Sequence, residues 1–297
     1  VNRHLTPESG VDIQTRELVT VRPARRYILL RPTGSDGRSM PVVVDLHGSG
    51  SWPEEHVAVT DARELAASGA VVVVPEAAIP FQFMAGSPRG LAWHVPGSPL
   101  PGESTPRAGP DDIEFVEALV DEFDDRRRVG QYGVHLRGYS GGARLAAHVA
   151  ARIPDRLASV CCVAGVRHVD SAGRRLPPLL AIHGEMDTVN PFQGGSGSRW
   201  VESVPQAVGR WAAGAGAHPV PRARPLSDTV TELSYPADDG SRLVRLISIA
   251  DADHSWPGTS DEEHRARFGA AGAFSASRAH RDFLREVERA RGAMPRQ

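Results

Sequence analysis

The sequence predicts an α/β fold, a mostly parallel central sheet with helices on both faces. Three observations predict it. Short aliphatic runs recur along the chain and alternate with helical patterns, as strands buried on both faces do. A Gly-x-Ser-x-Gly pentapeptide joins one of these runs to a helix. Acidic residues and a histidine follow later runs, at the strand ends where open α/β sheets gather their reactive groups.

The elements follow in order. Residues 12–31 alternate loosely and suit a leading antiparallel hairpin. Pro41–Leu46 is the first core strand, interrupted only by Asp45 and ending at His47-Gly48; Ala70–Val74 is the second. The stretch 77–110 breaks the rhythm. It is rich in Gly and Pro and carries Phe81, Phe83, Trp93 and His94. Such a long loop inside a domain is functional or disordered, and its aromatics favour a substrate-proximal roof over a site. Asp111 caps a helix whose Ile113, Val116, Leu119, Val120 and Phe123 share one face. Arg126, Arg127 and Arg128 follow, where cations complement the helix dipole. Tyr132–Leu136 is a strand, and a helix carrying Ala143, Ala146, Ala147 and Ala150 runs from near Ser140 to Pro154. Leu157–Ala164, Leu179–Ile182 and Leu243–Ile249 are further strands, and Phe283, Leu284 and Val287 mark a last helix. No repeat and no linker between two cores is visible, so residues 1–297 read as a single domain.

Composition narrows the chemistry. The chain has 297 residues, 40% hydrophobic and 24% charged, with a net charge of −2. That balance excludes the basic footprint of a nucleic-acid binder. All 34 cationic Lys+Arg positions are arginine. Schiff-base, P-loop and Ser-x-x-Lys chemistries are thereby excluded, since arginine does not give up its proton. The two cysteines, Cys161 and Cys162, are adjacent and form no disulfide framework. No signal peptide or membrane-spanning run is visible, so the expectation is no membrane partner and a cytoplasmic location, with a processed secreted form left open. There is no His-Glu-x-x-His and no Cys-x-x-Cys, so neither a metal nor another cofactor is expected.

Gly138-Tyr139-Ser140-Gly141-Gly142 matches the nucleophile-elbow pattern. A serine on a tight strand-to-helix turn projects its hydroxyl into open space, and small neighbours let strand and helix approach. The hydroxyl needs a base to become a nucleophile. His254 follows the strand Leu243–Ile249 and is the expected base; Asp187 follows Leu179–Ile182 and is the expected orienting acid. Glu185, Asp251 and Asp253 are rival acids, although the last two lie very close to His254 in sequence. The glycine-rich turn after the first core strand can aim amides at one point, so Ser49 and Gly141 are the expected oxyanion-hole donors. His47 is expected to anchor that turn. Trp52, Trp93, Phe192 and Trp256 are the expected substrate-binding residues, and with Phe81 and Phe83 they are expected to form an apolar acyl wall.

Together these pieces resemble the α/β-hydrolase superfamily. The closer resemblance is to the polyhydroxybutyrate depolymerase and feruloyl esterase group, including the LpqC-like esterases. It rests on Leu46-His47-Gly48, the Ser140 elbow, His183-Gly184-Glu185-Met186-Asp187 with Asn190-Pro191-Phe192, and Asp253-His254-Ser255-Trp256-Pro257-Gly258. Trp93-His94-Val95-Pro96-Gly97 also resembles a loop these esterases place near substrate. The resemblance implies hydrolysis of carboxylic esters through an acyl-serine, with a small-molecule ester as partner and no metal or organic cofactor. The sequence departs from the group in lacking several disulfides and a polymer-binding module, which favours a soluble aromatic-acyl or short hydroxyacyl ester. Two other readings use the same residues: an acyltransferase or thioesterase with this triad, and a binding protein on a hydrolase scaffold.

Overall fold

The computed structural model describes residues 10–124, 131–195, 199–238 and 242–292. Arg126, Arg127 and Arg128 lie outside them. Among the described residues the chain runs through β1 (Val11–Leu18), β2 (Arg25–Pro32), β3 (Val42–Leu46), α1 (Pro53–Val59), α2 (Ala62–Ala67), β4 (Val71–Pro75), β5 (Ile79–Gln82), β6 (Arg89–Ala92) and α3 (Asp112–Phe123). It continues through β7 (Val134–Tyr139), α4 (Gly141–Arg152), β8 (Leu157–Val163), β9 (Leu179–Gly184), α5 (Val204–Gly214), β10 (Arg222–Pro225), β11 (Val230–Pro236), β12 (Arg242–Ile249), α6 (Glu262–Phe268) and α7 (Ala276–Ala290).

The main sheet is ordered β1-β2-β4-β3-β7-β8-β9-β12-β11-β10. From β4 to β12 neighbouring strands are parallel. The β1–β2 hairpin closes one edge antiparallel, and β11 with β10 closes the other. Strand alternation divides the core between two faces. Val42, Val44 and Leu46 pack with α3, α4 and α5 through Phe115, Leu145, Val149, Val208 and Trp211. Val43, Val72 and Val74 face Val57 of α1, Leu65 of α2 and Leu284 of α7. Helices on both sides are what the near-continuous aliphatic strands require.

Charged residues inside these strands have specific partners. Asp45 of β3 stands opposite Arg137 of β7. Arg137 Nε donates to Asp45 Oδ1 at 2.9 Å, and the guanidinium lies 5.2 Å from the Trp256 ring centroid. Asp111 caps α3 as expected, its carboxylate accepting from the Glu114 amide at 2.9 Å.

The stretch 77–110 is folded rather than irregular throughout. It opens with the β5–β6 hairpin, tied to the turn after β3 by Gly50 N–H to Leu91 O at 2.8 Å and Leu91 N–H to Ser51 O at 3.0 Å. The approach is close: a Cβ on Gly90 would lie 2.2 Å from the Gly50 carbonyl oxygen. The hairpin therefore rides on the turn that carries Ser49.

Candidate active site

β7 ends at Tyr139 and α4 begins at Gly141, leaving Ser140 alone in the turn. Its φ of 52° and ψ of −113° lie outside the ordinary regions for a side-chain-bearing residue. Such a backbone is held only if its surroundings fix it. The glycines make that possible: a Cβ on Gly138 would meet the Gly142 backbone at 2.5 Å, and one on Gly142 would meet Leu46 O at 2.2 Å. Strand β7, helix α4 and the end of β3 thus touch through backbone atoms.

Ser140, His254 and Asp187, contributed by three separate strand ends, come together. Ser140 Oγ lies 2.9 Å from His254 Nε2, and His254 Nδ1 lies 2.8 Å from Asp187 Oδ2. All three are buried. Burial alone pushes the Asp187 carboxyl up, but the His254 charge and hydrogen bonds from His183 and His254 outweigh it and hold the group well below the usual carboxylate range. Asp187 is therefore a pure acceptor at neutral pH. That fixes the proton on His254 Nδ1 and leaves Nε2 to accept from the serine hydroxyl. Asp187 Oδ1 accepts the amides of Val189 at 2.9 Å and Asn190 at 2.7 Å, so its carboxylate is locked by its own loop.

The rival acids occupy other places. Asp253 Oδ1 accepts the Thr188 amide at 3.0 Å and the His254 amide at 2.8 Å. It joins the histidine loop to the acid loop through backbone rather than through the imidazole. Glu185 and Asp251 are exposed. Several supporting residues had no motif of their own. Tyr139 hydroxyl donates to His254 O at 2.7 Å, and burial raises its pKa well above the usual phenol value, so it keeps that proton. His183 Nε2 lies 2.8 Å from Asn190 O and 3.1 Å from Asp187 Oδ2, bridging the acid and the loop that follows. His264 accepts the Trp256 amide at 3.2 Å, and burial, then the charges of His254 and Arg267, push it down to about 3, so it stays neutral.

Ser49 and Gly141 also converge. A Cβ on Gly141 would lie 3.4 Å from Ser49 N, so the two backbones are adjacent beside Ser140. Among the described residues neither amide has a protein acceptor, whereas the next amide, that of Gly50, is taken by Leu91. Two adjacent open N–H groups next to a serine hydroxyl suit a developing oxyanion. His47 anchors this turn: its Nδ1 donates to Gly48 O at 2.9 Å, its Nε2 accepts the Ala77 amide at 3.1 Å, and burial pushes it down to about 3.

The expected acyl wall requires correction at Trp52, Trp93, Phe192 and Trp256. Trp93 is 1% exposed and its indole N–H donates to His47 O at 2.7 Å, beneath the turn rather than toward a substrate. Trp256 is fully buried and donates to Ser277 Oγ at 3.1 Å. Phe192 lies in the core with its ring 6.0 Å from that of His183. Trp52 donates to Arg89 O at 2.9 Å, against the hairpin. The small cavity of about 10 Å³ beside the triad is lined by none of the four; Val59, Tyr139 and Phe268 supply its apolar surface. Phe83, at the tip of β5, stacks 6.4 Å from the His254 ring and contacts Phe268 at 4.9 Å. Its half-buried ring, not Trp93, is how the hairpin reaches the site.

Among the described residues no group of three or more His, Cys, Asp or Glu is arranged to hold a metal ion. No helix among them is long and apolar enough to cross a membrane. No protein-family model matches the chain. The chain is 29% identical over 279 residues to "Putative esterase NocK" of Nocardia uniformis subsp. tsuyamanensis, covering 85% of this chain and 76% of that one. Among solved structures it is similar to the acetyl xylan esterase of Aspergillus awamori, with a TM-score of 0.58 and 12% identity over 82% of this chain and 94% of that one. It is also similar to a bacterial brefeldin A esterase, with a TM-score of 0.57 and 16% identity over 97% and 81% of the two chains. The sheet order, the elbow and these similarities agree: the chain has the α/β-hydrolase fold.

Proposed function

We propose that the protein is a serine carboxylesterase acting on a soluble ester through an acyl-serine intermediate. The observation that carries this reading is the unbroken chain from Ser140 Oγ to His254 to Asp187 beside two open amides. The similarity to an esterase over most of the chain supports it. In this reading Ser140 Oγ attacks the ester carbonyl carbon while His254 Nε2 takes its proton. The oxyanion accepts from Ser49 and Gly141 N–H. Collapse breaks the bond to the alcohol oxygen, which receives the proton from His254. Water then attacks the acyl-serine with the same base, releasing the acid and restoring Ser140. No lysine is needed at any step. An aromatic-acyl ester such as a feruloyl ester, or a short hydroxyacyl ester, is the substrate class; Phe83 and Phe268 beside His254 offer its acyl group an apolar contact.

The test is hydrolysis of 4-nitrophenyl acetate together with labelling by a fluorophosphonate. The expected result is turnover, a single labelled peptide containing Ser140, and loss of both in Ser140→Ala with an unchanged circular dichroism spectrum. Labelling that persists in Ser140→Ala would overturn the assignment.

A further inference from the structure

Three arginines gather beside the elbow without a carboxylate to pair with among the described residues. Arg144 lies one turn beyond Ser140 on α4, its amide donating to Ser140 O at 3.1 Å. Its side chain belongs to a residue only 2% exposed; Nη1 donates to Ser98 Oγ at 2.8 Å, while the buried Nε has no partner. Arg167 follows β8, where the chain presses against the elbow: a Cβ on Gly165 would lie 2.3 Å from Ser140 O. The Arg167 guanidinium covers the Trp200 ring at 3.9 Å. Arg199 directly precedes that tryptophan, and its Nε and Nη2 are buried and unpartnered. Trp200 stands 6.1 Å from the His183 ring, beside Asp187. The cluster thus reaches toward Asp187 through Trp200 and His183.

A guanidinium stays charged under any ordinary condition. Burying one without a counter-ion is costly, and setting three together adds their repulsion. Burial, then the charges of Arg199 and Arg167, drive the Arg144 pKa well down; burial brings Arg167 and Arg199 down to about 10. Glu202 eases Arg167 electrostatically, but its carboxylate is bonded to Arg210 at 3.3 Å. His148, farther along α4, is pushed down to about 4 by burial and by Arg144 and Arg167, so it stays neutral and adds no further positive charge. Buried charged forks without a counter-ion, on segments that pack against the elbow, have one simple use, since the planar fork matches a carboxylate.

We propose that Arg144, Arg167 and Arg199 form a carboxylate-binding subsite, so that the preferred esters carry a carboxylate on their acyl or alcohol part. This rests on the esterase reading above. The experiment has an arm for each source. In the acyl arm, kcat/KM is compared for the 4-nitrophenyl monoester of adipic acid and for 4-nitrophenyl hexanoate. In the alcohol arm, 4-acetoxybenzoate is compared with phenyl acetate. The expected result is a preference of at least about tenfold for the anionic member in one arm, the order of a charged hydrogen bond. Arg199→Gln, less buried than Arg144 and so chosen for the test, should bring that ratio toward one. Equal kcat/KM in both arms, or a ratio untouched by Arg199→Gln, overturns the proposal. If no ester is turned over, the esterase reading fails and titration of Ser140→Ala with adipate decides the subsite. Binding that is lost in the Ser140→Ala, Arg199→Gln double variant supports it; no binding overturns it.

Discussion

His254 has two candidate carboxylates within one short loop system, and hydrogen-bond direction separates them. Asp187 meets Nδ1 of the ring at 2.8 Å, whereas Asp253 meets the backbone amide of the same residue at 2.8 Å. Only the first can choose the imidazole tautomer. Asp187→Asn keeps the shape but can present an N–H where a carboxylate oxygen stood, favouring the wrong tautomer. We expect kcat to fall by roughly 10⁴-fold, the scale seen when a triad acid becomes an amide. Asp253→Asn should cost activity far less, because its role is to join two loops; steady-state kinetics on 4-nitrophenyl acetate compares the two. Equal losses would make Asp253 the orienting acid's peer and contradict this division.

The elbow shows how three elements share one constraint. β3 ends at Leu46, α4 starts at Gly141, and Gly142 is the point where they meet without side chains. Its added Cβ would be stopped by two carbonyl oxygens, Leu46 O at 2.2 Å and His47 O at 2.6 Å, which are backbone and cannot swing aside. Gly142→Ala should therefore separate α4 from the turn that carries Ser49. The expected outcome is destabilisation of about 1–3 kcal/mol, as for overpacking elsewhere. On the proposed mechanism the kcat should drop by about 10²-fold or more as the Ser49 amide is displaced. Urea denaturation and kcat measured on the same preparation check both halves. An active variant of wild-type stability would show that the contact relaxes without moving the turn.

Across the whole molecule, acid sensitivity follows from how many titratable groups are buried in one protonation state. His47 and His264 are pushed down to about 3 and His148 to about 4, each chiefly by burial. Their unfolded counterparts bind protons from about pH 6.5 downward, so between about pH 6.5 and 3 the unfolded chain holds more protons and stability falls as pH falls. Asp187 and Asp45 add a second stage. Burial raises both, but His254 and His183 for the first, and Arg137 and His56 for the second, outweigh it and hold them well below the carboxylate range. Their contribution is complete above the unfolded pKa near 4 and is lost as pH drops below it. Chemical denaturation at a series of pH values should show stability level above about pH 7, declining from about pH 6 and steepening below about pH 4. Substituting Gln for His47 would remove part of the first decline if the turn stays folded; a profile flat to pH 4 would contradict it.

Much of this was legible because local chemistry leaves local marks. Aliphatic runs marked the parallel strands, Asp111 marked the start of α3, and Gly138 with Gly142 marked the close approach at Ser140. Less legible was the direction in which a side chain points. Trp93 and Trp256 stand next to site motifs, yet both turn inward to satisfy an indole N–H in the core, because a large apolar ring gains more from full burial than from lining a cleft. Phe83, also among the expected wall aromatics, does face His254, because the β5–β6 hairpin is bonded to the turn after β3. The arginine cluster was invisible for a similar reason, since Arg144, Arg167 and Arg199 are brought together only by the ends of separate strands and loops. Local patterns in the chain fix the strand and helix alphabet and the strained serine turn, and its composition excludes lysine chemistry. Only the folded chain decides which carboxylate reaches the imidazole and which aromatics meet the site, because those depend on distances between segments far apart in the chain.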